Sequence, residues 1–77
     1  MALIKGFEQS TKDRNSVHRQ AKAHYTVFDG PDGKRYFQID TFGSADRQMP
    51  GKVSQAIQLD RESARTLVDL LQREFSR

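Results

Sequence analysis

The chain has no cysteine and no tryptophan, two prolines and five glycines in 77 residues. Without cysteine there is no disulfide frame, no thiolate zinc site and no thiol nucleophile. Only 35% of the residues are hydrophobic, and no apolar run approaches the ~18 residues that a membrane span requires. No apolar stretch of the secretory type follows the start, so the expected location is cytoplasmic. A chain this short and polar encloses a thin core and gains stability readily from self-association. A large closed active site does not fit that size; a single domain over 1–77 that binds a partner does.

What is present is charge, at 30% of the residues, with Lys+Arg 13 against Asp+Glu 10. It is unevenly placed. Residues 1–25 carry Lys5, Lys12, Arg14, Arg19 and Lys22 against Glu8 and Asp13, residues 26–60 are slightly acidic, and 61–77 slightly basic. A basic N-terminal third suggests a polyanionic partner, although it also serves ordinary solvation.

Residues 2–9 form a short mixed run in which Leu3, Ile4 and Phe7 can anchor a strand that Gly6 weakens. Residues 10–21 show neither helical nor strand periodicity and read as a basic, mobile loop. Residues 22–28 alternate, with Ala23, Tyr25 and Val27 toward a core and His24, Thr26 and Phe28 away from it. Asp29-Gly30-Pro31-Asp32-Gly33 supplies hairpin chemistry: residues tolerant of positive φ around a proline of fixed φ. A second strand covers 34–42. Phe37 and Ile39 face the core, because Gln38 and Asp40 are costly to bury unpaired; Tyr36 and Phe42 share their outward face. A loop over 43–51 ends in Pro50-Gly51, and a strand over 52–59 directs Val53, Ile57 and Leu59 inward and Lys52, Ser54, Ala56 and Gln58 outward.

Asp60 has the chemistry of a helix N-cap. Beyond it, Ala64, Leu67, Val68, Leu71 and Phe75 recur at helical spacing over 61–75, and Leu70 widens the stripe. The expected fold is α+β: a four-stranded antiparallel sheet, its first strand the weakest, covered on one face by a C-terminal amphipathic helix. The stripe is broader than one thin sheet requires, so Leu67, Leu70, Leu71 and Phe75 are expected at a homodimer interface. With Leu70 at the outer edge, Leu70→Asp should break the assembly and Leu67→Asp should unfold the protomer.

Catalytic patterns are weak. His18 and His24 lack a carboxylate cluster, and a solvated loop histidine and a sheet-surface histidine explain them better than a metal site. Ser44 and Ser54 have no glycine elbow, and no phosphate-cradling glycine pattern precedes the helix. The expectation is no enzyme and no cofactor. Binding is better supplied. The outward face assembles Tyr36, Phe42, Phe28, Gln38, Ser54, Gln58 and His24, with Lys34, Arg35, Arg47 and Lys52 around it. Aromatic rings on a sheet stack unpaired bases, and the cations neutralise phosphates. The same aromatics could instead cover the second face or a dimer seam.

Residues 22–75, about two-thirds of the chain, resemble the single-stranded-DNA-binding domain of the transcriptional coactivator positive cofactor four and its small bacterial relatives. The resemblance is carried in order by the hairpin Asp29-Gly30-Pro31-Asp32-Gly33-Lys34, the strand Phe37-Gln38-Ile39-Asp40, the turn Met49-Pro50-Gly51-Lys52, and Ile57-Gln58-Leu59-Asp60 leading into the helix. It implies a four-stranded antiparallel sheet, a homodimer through the helices, and sequence-tolerant binding of single strands near transcription, replication or repair. Lys34 and Lys52 match basic positions of that family, and Phe42 and Arg47 fall where it places stacking and basic residues. The chain departs from it in having no tryptophan at Thr41-Phe42-Gly43-Ser44 and a less basic Val53-Ser54-Gln55. Together these features predict phosphate contacts from Lys22, Lys34, Arg35, Arg47 and Lys52, base stacking by Tyr36 and Phe42, and hydrogen bonds from Gln38 and Ser54. DNA is favoured over RNA as partner. Single-stranded RNA, or a protein partner on the sheet face or edge, is the alternative.

Overall fold

The computed structural model describes residues 1–42 and 53–76. Its elements are β1 (Ala2–Ile4), β2 (Ala23–Asp29), β3 (Arg35–Thr41), β4 (Gln55–Leu59) and α1 (Arg61–Phe75). The strands form one sheet in the order β1-β4-β3-β2. The architecture is therefore α+β, a four-stranded sheet with one C-terminal helix. The loop expected over 43–51 lies outside the described residues, as do Arg47 and Lys52.

β2 and β3 pair antiparallel, with Tyr25 opposite Ile39 and Val27 opposite Phe37. Their β-branched and aromatic residues suit a pleated surface. The connecting turn uses the chemistry legible in its sequence: the Gly33 amide donates to the Gly30 carbonyl at 2.9 Å, and Gly33 adopts φ 78°. Pro31 occupies the position of the turn that favours a fixed φ. Lys34 N donates to Asp32 Oδ1 at 3.0 Å and completes the turn. A Cβ on Gly30 would come within 2.7 Å of the Tyr36 ring, so this glycine is required by close approach. β3 pairs antiparallel with β4, Phe37 opposite Leu59 and Ile39 opposite Ile57.

The expected all-antiparallel sheet is corrected at β1, which pairs parallel with β4. The sheet is mixed. β1 is also shorter than the run 2–9 suggested, and β4 begins at Gln55, not at residue 52. The physical reason lies in the connection. Residues 5–22 contain no helix or strand and are too many for a tight hairpin, so β1 is not constrained to lie antiparallel beside β2. It pairs with the open side of β4, where Ala2 and Ile4 align with Ile57 and Leu59.

One sheet face carries Tyr25, Val27, Phe37, Ile39, Ile57 and Leu59, and the helix crosses it over β3 and β4. Asp60 caps the helix, its Oδ1 accepting from the Ser63 amide at 2.9 Å. Glu62 in the first turn and Arg73 in the last complement the helix dipole. The enclosed core is thin. Among the described residues only Leu59 and Ser63 are buried, and the Ser63 hydroxyl donates to the Ile4 carbonyl at 2.5 Å, tying β1 to the helix. Leu67 and Leu70 are half-buried, while Val68, Leu71 and Phe75 are exposed. The outer rim of the helix stripe is thus Val68, Leu71 and Phe75, and the expectation that Leu70 lies on that rim is corrected. No described helix is long and apolar enough to cross a membrane.

Candidate nucleic-acid interface

The second sheet face receives every other residue of the strands: His24, Thr26 and Phe28 from β2, Tyr36, Gln38 and Asp40 from β3, Ala56 and Gln58 from β4, and Leu3 from β1. The helix does not cover it. The rings on it form two pairs. Phe28 and Tyr36 stack with centroids 5.8 Å apart and planes at 27°. His24 and Phe42 meet edge to face at 4.8 Å and 69°. The four-residue separation of His24 and Phe28 along one strand places the pairs about 14 Å apart.

Between the ring pairs runs a row of amides. Gln58 Nε2 donates to Gln38 Oε1 at 2.8 Å, and Gln38 Nε2 donates to Asp40 Oδ1 at 2.9 Å. The row turns one charged and two neutral polar groups into a fixed chain, which keeps their orientation and leaves lone pairs and N–H groups for a ligand. Gln38 and Gln58 also floor a shallow hollow of about 360 Å³ bordered by Leu3 and Ala56.

The Tyr36 ring is held from both ends. Its hydroxyl donates to Asp32 Oδ2 at 2.7 Å, which raises the phenol pKa and, with the Lys34 amide, lowers that of Asp32. The ring itself lies against Gly30 and stacks on Phe28. At the same end of the sheet, Lys5 and Asp60 form an ion pair. The Lys5 hydrogen bond, followed by the Ser63 amide, holds the Asp60 carboxyl at about 2, below its ordinary 3.8.

Of the residues expected at the interface, Tyr36, Gln38 and Phe42 come together on this face. Lys22 is exposed beside the start of β2, and Lys34 is exposed in the hairpin. Ser54 precedes β4, is exposed, and donates its amide to the Thr41 carbonyl at 2.8 Å. Arg35 differs from expectation: it lies on the helix side, lining a hollow with Val27, Phe37 and Ala64, and its Nε donates to Asp29 Oδ1 at 3.3 Å. It shares the alternation of Phe37, so it cannot point with Tyr36. Lys5 was not anticipated here, because its partner Asp60 is distant in sequence. Among the described residues no group of three or more His, Asp or Glu side chains could hold a metal ion.

No protein-family model matches the chain, and no curated protein or solved structure matches it at a significant level.

Proposed function

We propose that the protein binds single-stranded nucleic acid, DNA in preference to RNA, on the sheet face opposite the helix, and that it acts as a homodimeric, cytoplasmic, non-enzymatic binding protein. One observation carries the reading: two ring pairs, Phe28–Tyr36 and His24–Phe42, flank a hydrogen-bonded amide row on the sheet face that the helix leaves open. Ring faces stack bases regardless of sequence, at ~1–3 kcal/mol per base, and amides bond to whichever base edge arrives. The strand's phosphates are met by Lys22 and Lys34 and, from outside the described residues, by Arg47 and Lys52. The resemblance to the positive cofactor four domain points the same way and suggests a role where strands are unpaired, in transcription or in protecting DNA.

Homodimerisation is part of the proposal. Phe75 is 81% exposed, and Val68, Leu71, Ile57 and Tyr25 also stand open on the helix side of the sheet. Such a clustered apolar surface beside so small a core is better shielded from water in an assembly than alone. The test is an anisotropy titration with single- and double-stranded oligonucleotides at two salt concentrations. Tighter single-strand binding that weakens with salt supports the reading; no binding at low salt, or equal binding of duplex, rejects it.

A second reading rests on β2. Its seven residues are exposed, and among the described residues only β3 pairs with it, leaving one edge open to a partner strand. A protein partner retained in a pull-down after nuclease treatment favours this reading.

A further inference from the structure

At the hairpin end of the sheet lies a cleft of about 900 Å³. Five cationic side chains line it from separate parts of the chain: Lys5 after β1, Lys34 and Arg35 from the hairpin, and Arg61 and Arg65 from the first turns of α1. Three carboxylates share the walls, Asp29, Asp60 and Glu62. Asp60 is paired with Lys5 and Asp29 with Arg35. Among the described residues, no side-chain hydrogen bond or ion pair engages Lys34, Arg61 or Arg65. The cleft therefore keeps a surplus of unneutralised positive charge where walls of protein exclude part of the solvent, which strengthens attraction for an anion. The helix amides are not the source of this attraction, since Asp60 already occupies the Ser63 amide.

The position of the cleft identifies the anion. Phe37 pairs with Leu59, so Tyr36 and Asp60 adjoin each other at this end of β3 and β4, and the Lys5–Asp60 pair borders both the aromatic face and the cleft. A strand leaving the Phe28–Tyr36 stack at this end of the sheet would meet this rim. We infer that the cleft binds backbone phosphates of the same single strand and carries it from the aromatic face around the sheet end toward the helix, with Lys34, Arg61 and Arg65 as its phosphate contacts. This inference rests on the nucleic-acid reading above. It extends the binding path beyond the sheet face and adds two helix arginines that no strand pattern could supply.

The test uses the full chain and its Arg61→Ala/Arg65→Ala variant, both positions being exposed, with far-ultraviolet circular dichroism and Tm as controls for folding. Each protein is titrated with a six-nucleotide and a fifteen-nucleotide oligothymidylate over a salt series. The short strand reports the aromatic face and the long one the face and the cleft. The expected result is unchanged binding of the short strand and a roughly five- to tenfold loss for the long one. The salt slope for the long strand should flatten by about 1.4, at about 0.7 per single-strand phosphate released. If the wild type binds both strands and the variant matches it on the long one in affinity and slope, the cleft assignment is overturned and the nucleic-acid reading stands. If the wild type binds neither strand, both fall. Tripolyphosphate binding to the wild type as tightly as the long strand would mark a site for free polyphosphate and overturn the assignment to a strand backbone.

Discussion

Phe28 and Tyr36 lie directly opposite each other on β2 and β3, their rings stacked 5.8 Å apart on the face that the helix leaves open. Their preorganisation means that a base can add to an existing stack without ordering a loose ring. Replacing Tyr36 by Ala removes one stacking surface and loosens the other. The expected loss in affinity for single strands is about 5- to 150-fold, corresponding to the ~1–3 kcal/mol typical of one stacked base. Tyr25→Ala, on the opposite face, should change affinity little. Anisotropy titrations of the two variants check this.

Asp40 is the one carboxylate of the row and ends it as the acceptor from Gln38, and a polyanion approaching the face meets its charge. Asp40→Asn keeps an oxygen to accept from Gln38 while removing that repulsion. Binding of single strands should tighten, most clearly at low salt, where screening is weakest. The ratio of affinities of variant and wild type across a salt series reads the effect directly.

The Asp60 carboxyl is held at about 2 in the folded chain against an ordinary 3.8. A depressed pKa contributes stability that is complete above the unfolded value and is lost as protons bind the folded form. Stability should therefore fall as pH drops from about 4 to about 2. Asp60→Asn should reduce stability at neutral pH, where the Lys5 pair is lost, and should flatten the curve over that acid window. Urea unfolding at a series of pH values separates the two proteins.

Ser63 is buried, and its hydroxyl bonds the Ile4 carbonyl. Ser63→Ala leaves that carbonyl without its donor and should cost about 1–3 kcal/mol in urea unfolding. Because the bond joins β1 to the helix, amide exchange should accelerate in β1 more than in β3.

Phe75 and Leu71 stand exposed on α1, whereas Leu67 and Leu70 are half-buried in the protomer. A Leu71→Asp/Phe75→Asp variant should sediment as a folded monomer, and the wild type is expected to sediment as a dimer. Leu67→Asp and Leu70→Asp should each lower Tm, because the new carboxylate meets the protomer's own sheet.

Much of this arrangement was legible in local sequence. Phe37 and Ile39 alternating with Gln38 and Asp40 separates the two faces of β3, and Asp-Gly-Pro-Asp-Gly specifies the turn that pairs β3 with β2. Both are short-range consequences of pleat and backbone φ. The pairing of β1 was not legible, because Ala2–Ile4 meets Ile57–Leu59, and local pattern carries no information on whether so distant a pair runs parallel. The burial of Ser63 depends on the same long-range contact. The side on which Arg35 lies was legible in the alternation, since it shares the parity of Phe37. The place of Leu70 was not legible, because the stripe is wide enough to be centred in two ways and only the sheet's position selects between them.

Under the proposed function, single strands lie on the face bearing Phe28 and Tyr36. The most direct measurement is an aromatic-region NMR titration of the protein with an oligothymidylate. The ring signals of Phe28, Tyr36, His24 and Phe42 should shift with increasing ligand while those of Tyr25, on the helix side, hold still. Ring shifts confined to Tyr25 and Phe75, or no ring shifts at saturating oligonucleotide, would contradict the proposed function.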